Sequence, residues 1–134
     1  MRQKANRNRK NAATKSRQFR KSAARSNQLL NSQIKQHGGI AIVHNGKRIN
    51  TYATVADMNN IAIKGKMAQV IQATESVNQT RDSYSDFELA QIEFLEMLEA
   101  RVLEQRNPHG HAEIVCAIDE AIADVDGLLK KYSD

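Results

Sequence analysis

The last third of the chain reads HAEIVCAIDEAIADVDGLLKKY after the punctuation Asn107-Pro108-His109-Gly110, and no other stretch restricts the fold as much. Ile114, Ile118, Ala121, Val125, Leu128 and Tyr132 recur in steps of three and four, a seam of the coiled-coil type. Ahead of the punctuation, Ser85-Asp86-Phe87-Glu88 is a capping box that opens FELAQIEFLEMLEARVLEQ. Two helices joined by so short a turn pack antiparallel. The spacing therefore predicts a C-terminal helical hairpin in which Ile118 and Val125 face the helix carrying Phe94 and Leu98.

Upstream, GIAIVHNGKRINTYAT sets Asn45-Gly46 between two β-rich runs. Both residues tolerate the positive φ of a type I′ turn, so a β-hairpin is expected over about residues 40–53. His44 then pairs with Lys47, Ile42 with Ile49 and Ile40 with Thr51. Ile40, Ile42, Ile49 and Thr51 share one face, which must lie on a helix or on another chain, because a lone hairpin is marginal in water. Thr54 and Asp57 read as the cap and acidic first turn of a central helix through Val55, Met58, Ala62, Gly65 and Ala68, with a break possible near Ile63-Lys64-Gly65-Lys66. From Thr14, Phe19, Ala23, Ser26, Leu30 and Ile34 keep helical spacing until Gly38-Gly39 stops them. Residues 1–13 show no periodicity and, having nothing to bury, are expected to be disordered alone.

The fold class is therefore mainly α: a basic N-terminal arm and helix, one β-hairpin, a central helix and an antiparallel helical hairpin. The expected division is a basic arm and helix over 1–36 and a small helical domain with the hairpin over 37–134. Aromatic residues make up 4% of the chain and there is no Trp, so the core must be aliphatic, which suits helix packing. A lone Cys116 excludes an intramolecular disulfide and fits a reducing compartment. No apolar stretch follows the N-terminal cations as in a signal peptide, and no run is long enough to span a bilayer, so a soluble intracellular protein is expected.

Charge is sorted along the chain. Residues 1–36 hold eleven Lys or Arg and no carboxylate, whereas residues 81–134 hold five basic and thirteen acidic side chains. Many flexible cations suit phosphate binding, in which counterion release supplies the affinity. The candidate nucleic-acid-binding residues are Arg2, Lys4, Arg7, Arg9, Lys10, Lys15, Arg17, Arg20, Lys21 and Arg25. The segment TKSRQFRKSAAR is locally similar, over about 20 of the 134 residues, to the arginine-rich RNA-binding segments of lambdoid phage antiterminators. The spacing between Arg17 and the Arg20-Lys21 pair departs from that pattern. The resemblance implies a basic segment that coils into a helix on RNA, and no more than that.

Other clusters point elsewhere. His109, His111, Glu113 and Cys116 are zinc-ligand types, but one thiol after H-x-H is not the spacing of a structural zinc site; a polar turn followed by a buried thiol is the plainer reading. Glu93, Glu96, Glu99, Glu104, Glu113, Asp119, Glu120, Asp124 and Asp126 fall between seam positions, as on solvated helix faces. Met58, Met67 and Met97 read as core. Phosphate loops, Cys-x-x-Cys, H-E-x-x-H and a nucleophile elbow are absent, so no enzyme, metal or cofactor is expected.

The expected function is that of a small non-enzymatic nucleic-acid-binding accessory protein, of viral or mobile-element type. Its arm meets phosphate, and its acidic helices make a protein contact or a homo-oligomer. Two alternatives stand beside it. One is a structural assembly component, such as a minor virion or connector protein, whose arm threads between subunits or reaches packaged nucleic acid. The other is a regulator that binds a host enzyme. The place is cytoplasmic, or within a virion.

Overall fold

The computed structural model describes residues 2–65, 73 and 83–131, with the side chains of 2–16 and 19 outside that description. The elements are α1 (Arg2–Gln36), β1 (Ala41–His44), β2 (Lys47–Asn50), α2 (Thr51–Lys64), α3 (Asp86–Arg106) and α4 (His111–Lys131). No helix among the described residues is long and apolar enough to cross a membrane.

Side-chain contacts fix the directions. Ser22 donates to Glu93, Ser26 to Glu96, and His37 Nδ1 lies 3.1 Å from the Pro108 carbonyl, a nearly constant offset along both helices, so α1 and α3 run parallel. Asn59 meets Glu99 and Lys64 meets Glu88, so α2 runs against α3. Gln91 reaches Leu129 and Arg106 reaches Glu120, so α4 does too. Among the described residues the result is an up-down-up-down bundle of four helices with the β-hairpin inserted between the first two. The expected helical hairpin of α3 and α4 is present, but α1 is the more extensive neighbour of α3.

Two apolar clusters fill the bundle. The upper holds Leu30, Ile34, Val55, Leu103, Ile114 and Ile118, and the lower holds Ala23, Tyr84, Leu89, Ile92, Leu95 and Leu129. The inner positions expected for α1, from Ala23 to Ile34, are all buried. On α4, Ile114, Ile118 and Ala121 are buried as expected, but Leu128 is 58% exposed and Leu129 takes its place. Tyr132 lies outside the described residues.

Helix ends follow local chemistry. Ser85 and Glu88 form both halves of the capping box, and Asn107, in the left-handed region, ends α3. At the end of α1, Gly39 N–H donates to Ile34 O and Gly38 N–H to Lys35 O, with Gly38 at φ +87°, the Schellman pattern. Two starts differ from expectation. The cap of α2 is Asn50, whose side chain accepts from Ala53 N–H, so the helix begins at Thr51 rather than after Thr54 and the hairpin is shorter than 40–53. Gly65, at φ +73°, ends α2 at the expected break; the remainder of the expected central helix, Met67 and Ala68 included, lies outside the described residues apart from Ala73. In place of disorder over 1–13 and a start at Thr14, α1 is continuous from Arg2. Arg, Lys, Gln and Ala are strong helix formers, and lengthening an existing helix needs no new nucleus. Missing periodicity is therefore not missing helix.

The hairpin has the expected register, Ile42 opposite Ile49 and His44 opposite Lys47, with Asn45 and Gly46 both at positive φ. Its base is seated: buried Thr51 donates its N–H to Ile40 O, accepts from Ile40 N–H, and meets His111 Nδ1 at 2.9 Å. Its tip is not. Ile42 is 48% exposed and its partner Ile49 is half-buried, so the shared apolar face is only partly covered beyond the base, and Val43 on the other face is 68% exposed. Gly46→Val, which forces a β-branched residue to positive φ, should cost the hairpin about 1–3 kcal/mol. Because the tip residues are largely exposed, faster amide exchange in β1 and β2 should report this, with little shift in the bundle's thermal midpoint.

Candidate nucleic-acid interface

The bundled part of α1 has two unlike faces. Ala23, Ser26, Leu30 and Ile34 point inward, while Arg17, Arg20, Lys21 and Arg25 are exposed. Arg17, Lys21 and Arg25 follow each other at four-residue steps, one line along the outer surface. Position 10 stands seven residues before 17 and so continues that line in helical register.

The offset between α1 and α3 brings Asp86, the first residue of α3, level with about position 16 of α1. The preceding fourteen or so residues of α1 continue past the end of α3 for about 20 Å at 1.5 Å per residue. That extension carries Arg2, Lys4, Arg7, Arg9, Lys10 and Lys15 and no carboxylate. Their side chains lie outside the described portion; their backbone positions distribute around the helix instead of forming one stripe. All ten candidate cations therefore stand on a single helix, six on the extension and four on the bundle.

The acidic residues are arranged otherwise than expected. Glu96 and Glu99 are fully buried, and half-buried Glu93 accepts 2.7 Å from Ser22. The signal was in the spacing: Leu89, Ile92, Glu96, Glu99 and Leu103 step by three and four, so the two carboxylates occupy seam positions. The opposite face of α3 exposes Phe87, Phe94 and Met97. Phe94 is therefore not buried between α3 and α4, and Met97 is not core; Met58 is partly buried against the upper cluster.

The histidine cluster ties the upper end of the bundle together. Gly110 N–H donates to His37 O, His111 meets Thr51, and Glu113 accepts from His109 N–H. Cys116 is exposed, with Sγ 3.9 Å from Glu120 Oε1, and not the buried thiol expected. Among the described residues no three His, Cys, Asp or Glu side chains come together in a way that could hold a metal ion. No family model matches the chain, and no curated protein sequence matches it.

Proposed function

We propose that this is a non-enzymatic nucleic-acid-binding accessory protein whose α1 extension lies against the phosphate backbone. The observation that carries this reading is the helical overhang of about 20 Å with basic charge alone, continuous with an exposed basic line on the bundle. A helix that is polar all round has no apolar face with which to pack on a protein core. Cations distributed around it suit a groove, where phosphates flank both sides; the major groove of DNA admits one α-helix. The exposed stripe of Phe87, Phe94 and Met97 on α3 supports a separate protein contact or self-association. That stripe also favours the second reading, an assembly component whose arm reaches packaged nucleic acid.

Deleting residues 2–15 tests the proposal, since a longer cut would take Ala23 from the lower cluster. The shortened chain should keep its bundle melt and lose most of its retention on a nucleic-acid column. The slope of log affinity against log salt should fall by up to about 5, near 0.9 for each of six lost contacts. Retention unchanged at low salt sinks the reading. A fixed stoichiometry with another protein after nuclease treatment would favour the assembly component.

A further inference from the structure

Between the two apolar clusters, three helices contribute polar side chains to one layer. Glu96 accepts from the Ser26 hydroxyl at 3.0 Å and from Asn27 Nδ2 at 2.7 Å. Glu99 Oε1 accepts from Asn59 Nδ2 at 2.7 Å. The second oxygen of each partner in that last pair, Glu99 Oε2 and Asn59 Oδ1, is buried without a hydrogen-bond partner. Both orphans are acceptors, and they belong to two groups already joined by one bond. An ionised carboxylate cannot complete such a pair with an amide, because it offers no donor. A carboxylic acid can: one proton turns two orphaned acceptors into one hydrogen bond.

We propose that Glu99 is held as a carboxylic acid and that it forms, with Asn59, a proton-dependent clasp between α3 and α2, closed by a hydrogen bond from the Glu99 hydroxyl to Asn59 Oδ1.

The surroundings favour the neutral form. Burial pushes the Glu99 carboxyl well above its ordinary range, the Asn59 bond pulls it down, and the like charge of Glu96 pushes it up again. The layer receives neutral Ser26 and Asn27 from α1 and neutral Asn59 from α2. From α4 it receives Ile122, which packs against both apolar clusters. Among the described residues the charged group acting on Glu99 is Glu96, of the same sign and on the same helix. A buried acceptor left unsatisfied is costly, and here one proton relieves two.

Because the folded pKa is raised, the clasp stabilises fully below about pH 4.3, the ordinary Glu value, and is lost as pH rises through the folded pKa. The test compares the full chain with Glu99→Gln by denaturant unfolding from about pH 4 to about pH 9. A Gln amide donates to Asn59 Oδ1 and accepts from Asn59 Nδ2, so it makes both bonds at any pH. The variant should match the parent at the acid end and gain on it as pH rises, the ratio of folding constants growing up to about tenfold per pH unit within the window. Parallel pH profiles, or a variant weaker throughout, would overturn the clasp and point to a bridging water or cation on an ionised Glu99. Should the variant fail to fold, the parent decides alone. Its infrared spectrum should keep a carboxylic-acid carbonyl band above the pH at which exposed Glu ionises, and amide exchange in α2 should quicken as that band fades. Absence of the band, or α2 exchange indifferent to its loss, overturns the proposal.

Discussion

Ile118→Asp is expected to leave the chain unfolded or nearly so at neutral pH, with a loss on the order of 5 kcal/mol or more. Ile118 is fully buried in the upper apolar cluster with Leu30, Val55, Leu103 and Ile114. Removing the methyls costs a few kcal/mol, and an unpaired carboxylate in their place adds its desolvation. Total stability for a domain of this size is roughly 5–15 kcal/mol, so the change is comparable with the whole. The new carboxylate would have a raised pKa in the folded state. Stability should therefore recover as pH falls, fully only below about 4, the unfolded Asp value, where the group is protonated in both states. Glu120, two residues on, is exposed and pairs with Arg106, also exposed. Its change to Ala should cost about 0–1 kcal/mol. Denaturant unfolding of the full chain measures both, and equal tolerance of the two would mean that α4 is packed by another face.

The second large effect is expected from a single methyl. At Gly39 an added Cβ would sit 2.3 Å from Ile34 Cγ2 and 2.9 Å from Ile34 O. Ile34 cannot yield cheaply, because it is fully buried in the upper cluster and its carbonyl accepts the Gly39 N–H. Gly39→Ala should thus cost about 1–3 kcal/mol in the thermal or denaturant melt, the range for overpacking. Gly127 gives the opposite sign. It lies inside α4, exposed, with nothing within 4 Å of an added Cβ. Gly127→Ala should stabilise by about 0.5–1 kcal/mol, from helix propensity alone. A matching sign for the two substitutions would mean that the turn after α1 is not as described.

The features legible in the sequence were those whose cause is local. Asn45-Gly46 sets its turn by backbone preference at two adjacent residues, and the register of the strands follows. Ser85 and Glu88 cap α3 within one turn, and Gly38 with Gly39 stops α1. What escaped was decided by distant partners. Glu96 and Glu99 look solvated by their charge although their spacing is that of the seam; the amides and hydroxyl that make their burial tolerable lie on other helices, some forty to seventy residues away. Phe94 read as core because it is large and apolar, yet its angular position on α3 leaves it outside. For the candidate interface, the identity of the cations was plain from the charge run. Their shared helix was legible only from Thr14 onward, because the residues before it have no apolar periodicity to read.

The parallel pairing of α1 with α3 also has a bearing on how the chain acquires its fold. Ser22, Ser26 and Asn27 find their partners on α3 at separations of 69 to 71 residues, and the hairpin, α2 and the following segment must all be made first. During synthesis the inner side of α1, with Ala23, Leu30 and Ile34, emerges well before the surface that covers it. Contacts of such long range are paid for in loop closure before they give any return, so assembly should be slower than in a bundle of sequence-adjacent pairs. A nascent chain paused before α3 displays a helix with one apolar side and one cationic side, a state open to chaperones and to polyanions alike.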